Sequence, residues 1–130
     1  MIDRTPIYTA ISKHAAKDNL RLHMPGHIGG RAMPPELQSL AQMDLTELPD
    51  LDDLHLPQGI IEESRRLMAE SVGAEESFFL VNGASSGIHA LLLTASEEGD
   101  HIILPRNAHR SFYGGMVLSG AVPVYMQSKI

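Results

Sequence analysis

Phe78-Phe79-Leu80-Val81-Asn82-Gly83-Ala84-Ser85-Ser86-Gly87 is the stretch on which the fold turns. Four apolar residues in a row read as a short buried strand. The small residues from Asn82 to Gly87 turn the chain, and Ile88 to Ala95 continues as a buried helix. The same alternation then recurs downstream. His101-Ile102-Ile103-Leu104 is a second strand closed by Pro105, a helix runs from about Ser111 to Ser119, and Ala121 to Met126 is a third strand. Pro123 places that last strand at an edge, because proline cannot donate to a ladder. Strand, helix, strand, helix, strand predicts two βαβ units, hence an α/β fold with a parallel sheet.

In parallel sheets ligands sit beyond the carboxyl ends of the strands. Two loops leave strands at that edge, Asn82 to Gly87 and Arg106 to Arg110, so they are expected to face one crevice. The first loop suits an anion. Gly83 and Gly87 permit a tight turn, Ser85 and Ser86 add hydroxyls, and the following helix presents its positive end. A helix terminus supplies only about 0.3–2 kcal/mol, so several donors must act together. The competing reading is that Ser85 simply caps the helix. The loop lacks the Gly-Lys-Ser/Thr ending of a nucleotide P-loop and the Gly-x-Gly-x-x-Gly of a dinucleotide site. In the second loop, Arg106, Asn107, His109 and Ser111 stand beside this expected phosphate site; alone, His109 would read as a surface or capping residue.

Upstream, Ile60, Ile61, Ser64, Leu67, Met68 and Val72 form a helical stripe, with Glu62 and Arg66 paired at i,i+4 outside it and Gly73 as the stop. From Leu20 to Pro57 periodicity fades except at Pro35 to Gln42; five prolines and three glycines make this a long loop of the kind that carries function. Thr5-Pro6 starts an N-terminal helix with Ile7, Ile11 and Ala15 on one face, and Asp18-Asn19 ends it.

Composition removes several classes. A net charge of −6 with scattered basic residues opposes a nucleic-acid surface. The longest apolar run, Ile88 to Ala95, is broken by His89 and falls far short of the ~20 residues of a membrane span. No signal-peptide core opens the chain. Without cysteine there are no disulfides, thiolate nucleophiles or Cys-based zinc sites, and cytoplasmic residence is the default expectation.

Taken together, Asn82-Gly83-Ala84-Ser85-Ser86-Gly87, Arg106-Asn107-Ala108-His109-Arg110-Ser111 and His23-Met24-Pro25-Gly26-His27 resemble the Orn/Lys/Arg decarboxylases. These are bacterial-type, pyridoxal-phosphate-dependent enzymes of the aminotransferase-like fold, fold type I. The stretch Leu45 to His55 is similar to the segment between those motifs, and the likeness runs from about Thr5 to Met126. The resemblance implies that Gly83, Ala84, Ser85 and Ser86 form the phosphate cup. It implies that His109 stacks on the cofactor's pyridine ring, and that Ser111 reaches toward the cofactor. Ala84 stands where relatives often carry threonine, which removes a hydroxyl but leaves the backbone N–H. His23 and His27 match a loop near the active-site entrance, with no chemical step assigned. The implied reaction releases carbon dioxide from lysine, ornithine or arginine to give a di- or polyamine, in a homodimer or higher homo-oligomer.

The resemblance also exposes a gap. Lys13, Lys17 and Lys129 are the three lysines, and none lies in a motif like that of the family's Schiff-base lysine. The expected organisation is an N-terminal helix and active-site loop over 1–57, then the start of a cofactor-binding α/β domain over 58–130. That domain is expected to stop after about three strands and to be inactive alone. The alternatives are an inactive fragment serving only as a partial cofactor-binding module, and a metal hydrolase using His23, His27, His55 and His109. The last is opposed by Pro25-Gly26, which keeps His23 and His27 off a single helical face. The acidic cluster Asp44, Glu47, Asp50, Asp52, Asp53 reads as a solvated loop face or as a recogniser of a basic substrate.

Overall fold

In the computed structural model, which describes residues 4–17 and 19–127, the chain divides into two units, Met1–Phe78 and Phe79–Ile130. The first is helical. Helix α1, Pro6–Ala15, starts at Thr5, whose carbonyl accepts the Thr9 N–H at 2.9 Å. Asp18, half of the expected stop, lies outside the described residues. After a 3₁₀ turn at Ile28–Gly30 come α2, Pro35–Met43, and α3, Ile60–Val72. Helix α1 packs against both. Gly73 ends α3 at φ 69°, a left-handed conformation that glycine adopts without penalty. There the Ala74 N–H returns to the Ala69 carbonyl at 3.0 Å. The expected Glu62–Arg66 pair is not made: Glu62 meets Arg65 at 3.3 Å, and Arg66 pairs with Glu70 instead. Arg65 is held elsewhere too, donating to the Ser77 carbonyl at 2.7 Å and lying 4.5 Å over the Phe78 ring.

The second unit is α4, Gly83–Ala95; β1, His101–Pro105; α5, Arg110–Ser119; and β2, Val122–Met126. Strands β1 and β2 pair in parallel, from His101 opposite Val122 to Pro105 opposite Met126, with α5 as the crossover. Leu92, Leu104, Met116 and Ala121 are the buried centre, and Ile88, Ile102, Ala108, Phe112 and Tyr113 pack around it. Alternation along β1 puts Ile102 and Leu104 in this core and leaves Ile103 69% exposed on the other face.

Two expectations are corrected. Phe78–Val81 is not a strand, and the described residues hold two strands rather than about three. An apolar run signals burial, but a strand also needs a hydrogen-bonding neighbour. No described strand pairs with this segment, and Phe78 and Val81 are each 68% exposed. The other correction concerns Asn82 to Gly87, which is largely helix: α4 begins at Gly83, five residues before Ile88.

Candidate functional site

The start of α4 is shaped by two glycines with different tasks. Gly83 takes φ +76°, which lets the extended approach bend into the helix. Gly87 is an ordinary helical residue and does not turn the chain as expected. A Cβ there would stand 2.4 Å from Leu80 Cδ1, so its bare hydrogen lets the incoming segment lie against the first turn. Asn82 is the N-cap, and no side chain caps the turn. Ser85 is therefore not the cap. Its hydroxyl is exposed and has no partner among the described residues, whereas Ser86 Oγ donates to the Gly83 carbonyl at 2.7 Å. The leading N–H groups of a helix have no intrahelical acceptor, so Gly83, Ala84 and Ser85 present donors and a partial positive charge at one place.

His109 is the N-cap of α5. Its Nδ1 accepts the Ser111 backbone N–H at 3.3 Å and lies 2.8 Å from Ser111 Oγ, with Ser111 itself buried. Accepting from an amide requires an unprotonated Nδ1, which places the neutral ring's proton on Nε2. The imidazole is thus fixed through one nitrogen while the residue remains exposed. Here the bland expectation, a helix cap, is observed.

Helices α4 and α5 are so close that a Cβ on Gly114 would meet His89 Nε2 at 3.0 Å, and one on Gly115 would meet Leu92 Cδ1 at 2.5 Å.

The loop into α5 is braced. Tyr113 Oη donates to the Arg106 carbonyl at 2.7 Å, and the Arg106 guanidinium lies 5.1 Å over the Tyr125 ring on β2. Sequence reading named Arg106 but missed both tyrosines, which lie 7 and 19 positions along the chain.

In the N-terminal unit, His23 Nδ1 lies 2.7 Å from the Met24 carbonyl, and His27 Nε2 meets Asp44 Oδ2 at 3.1 Å. His14, edge-on to His23 at 6.5 Å, has its pKa lowered by burial and by Lys17 and Arg21. The acidic cluster is already engaged. Besides Asp44, Asp50 pairs with Lys17 at 2.9 Å, Glu47 accepts from Thr46 at 2.7 Å, and Asp53 accepts the His55 N–H at 2.8 Å. Hydrogen bonding from Lys17 lowers the pKa of Asp50, and hydrogen bonding from Thr46 lowers that of Glu47. Asp52 accepts four backbone N–H groups, from Asp53, Gln58, Gly59 and Ile61, at 2.9–3.0 Å. Desolvation pushes its pKa up, but the four donors prevail and hold it at about 2. Among the described residues, no three His or acidic side chains gather as metal ligands. Nor is any described helix long and apolar enough to cross a membrane.

Comparison with known proteins supplies the context. The arginine decarboxylase of Bacillus subtilis is 40% identical over 131 residues, covering 97% of this chain and 27% of that protein. The uncharacterized protein YaaO of the same organism is 43% identical over 126 residues, covering 94% of this chain and 26% of its own length. The chain thus spans about a quarter of the curated relatives it matches. The constitutive lysine decarboxylase of E. coli superposes with a TM-score of 0.77 over 95% of this chain and 19% of its own; at 24% identity this shows the fold. A family profile described as Orn/Lys/Arg decarboxylase, major domain, matches residues 5–129. The chain belongs to the Orn/Lys/Arg decarboxylase family, as an N-terminal portion of its major domain.

Proposed function

We propose that these residues supply the phosphate and ring contacts for pyridoxal phosphate in the decarboxylation of a basic amino acid. The observation that carries this is the uncapped first turn of α4, together with His109 held at the start of α5 through Nδ1. The residues fit the group. A Cβ at Gly83 would meet nothing within 4 Å, so the turn is open to a phosphate, and Ser85 Oγ is free to donate. Gly83, Ala84, Ser85 and Ser86 would hold the phosphate; His109 would lie against the ring. Ser111, buried and spent on His109, serves the cofactor by orienting that imidazole.

When bound, the cofactor supplies an electron sink for the bond that breaks as carbon dioxide leaves. This chain's residues fix where that sink lies. The phosphate end would be held by N–H donors that need no reorganisation, and the His109 ring, held through Nδ1 by its cap, would limit tilt. Lys17 is paired with Asp50 and Lys13 lies on α1, so we assign neither to the aldehyde carbon; Lys129 lies outside the described residues.

The test is to titrate the chain with pyridoxal phosphate, reduce with borohydride, and map adducts by peptide mass. Binding that is weakened at least ten-fold by Ser85→Ala with Ser86→Ala, without a stoichiometric adduct on one lysine, supports the reading. Unchanged affinity in the double variant overturns the phosphate assignment, and a single-site lysine adduct overturns the assignment of the lysines.

A further inference from the structure

The local cap orients the His109 ring relative to α5, but it does not fix the loop that carries it. Between β1 and α5 stand Arg106, Asn107, Ala108 and His109, where the Ala108 N–H donates to the Pro105 carbonyl at 3.1 Å and the Phe112 N–H to the His109 carbonyl at 3.0 Å. Three side chains brace this loop, Arg106 from the loop itself, Tyr113 from α5 and Tyr125 from β2. Tyr113, on α5, reaches back seven residues to hold the Arg106 carbonyl at 2.7 Å. Arg106 folds its guanidinium over Tyr125 of β2 at 5.1 Å, and the two tyrosine rings lie 6.5 Å apart at 34°. Tyr113 also packs against the buried core, so the brace is founded on Leu92, Leu104, Met116 and Ala121.

We propose that Arg106, Tyr113 and Tyr125 form a clamp that sets the position of His109, and that they are positioning residues for the ring His109 stacks on. The chemistry suits the task. A guanidinium over an aromatic face is held by the ring quadrupole and keeps its N–H edges free, so the loop is fixed without neutralising its charge. A tyrosine hydroxyl to a carbonyl is directional, which fixes the loop in rotation as well as distance. The proposal rests on the cofactor reading only for what His109 meets; the clamp itself is a statement about the loop.

The experiment compares amide exchange in the whole chain for wild type, Tyr113→Phe, Tyr125→Leu and Tyr125→Phe. Tyr113→Phe and Tyr125→Leu should each raise exchange at Ala108 and Ser111 by about five-fold, the scale of one lost hydrogen bond or cation–π contact. Ile103 and Leu104 in β1 should not change, and Tyr125→Phe, which keeps the ring, should match wild type. With pyridoxal phosphate added, the first two variants should lose the visible circular dichroism of the bound chromophore while affinity stays within about two-fold, because the phosphate end is untouched. Exchange that is unchanged, or raised equally in β1, overturns the clamp. If wild type binds no pyridoxal phosphate, the cofactor reading fails while the exchange result still decides the clamp.

Discussion

Replacing Asp52 with asparagine tests the strongest electrostatic feature of the chain. Oδ1 accepts the N–H groups of Asp53 and Gln58 at 3.0 Å each, and Oδ2 accepts those of Gly59 and Ile61 at 2.9 and 3.0 Å. The carboxylate therefore caps α3 from eight residues upstream and closes the loop before it. Asparagine keeps one oxygen but turns an NH₂ toward two of the four donors. It also accepts the left-handed backbone at φ 68°, so the change isolates the lost acceptor. Two charge-assisted bonds would be worth more if fully buried; for a partly exposed cap the expected loss is about 2 kcal/mol. With an m-value of about 1–3 kcal/mol per molar urea, the midpoint should fall by roughly 1 M with an unchanged slope. The sign of the pH dependence follows from the depressed pKa. The folded carboxyl titrates near 2, below its ordinary value of 3.8, so its contribution is complete above about pH 4. It is lost as pH falls toward 2. The wild-type advantage over Asp52→Asn should be flat from pH 7 to about 4 and then close. Equal midpoints at pH 7, or a gap that persists at about pH 2, would refute the reasoning.

Gly115→Ala should destabilise the chain by about 1–3 kcal/mol in a urea or thermal melt, although alanine is the better helix former, because the new methyl meets Leu92 at 2.5 Å. Leu104→Ala, at the buried centre of β1, should cost about 2–5 kcal/mol by the same measurement. Lys17→Ala should return the Asp50 carboxyl toward its ordinary titration range by NMR while leaving the melting temperature within error, since the pair is exposed.

Helix identity was legible because it is local. Pro6, Pro35 and Gly73 mark their ends through backbone chemistry readable from the residue itself. Strands β1 and β2 were legible as a pair because a short apolar run, a helix and another run leave little choice of topology. Phe78–Val81 was misread because its apolar character says nothing about which strand would pair with it. The candidate site divides in the same way. The small residues of Asn82 to Gly87 and the His109 cap announce themselves by composition, but the helix start was placed at Ile88 instead of Gly83, Asp52 reaches α3 across a loop, and Tyr125 reaches Arg106 across a crossover. Spacing rules for caps and i,i+4 pairs stop at one turn, so neither contact has a local signal. Arg65 taking Glu62 in place of Arg66 has a similar origin, because its position toward Ser77 and Phe78 decides the pairing.

The bare side of the β1–β2 sheet, with Ile103 69% exposed, also governs how the chain behaves as a colloid. At neutral pH the charge of −6 opposes non-specific association. On acidification that repulsion vanishes near the isoelectric point of about 5.5, well above the range in which Asp52 titrates. Turbidity should therefore peak near pH 5.5 and clear again below it, before Asp52 titrates. An acid titration carried out slowly through that point would report the stickiness of the sheet, whereas a rapid jump across it would report the cap of α3.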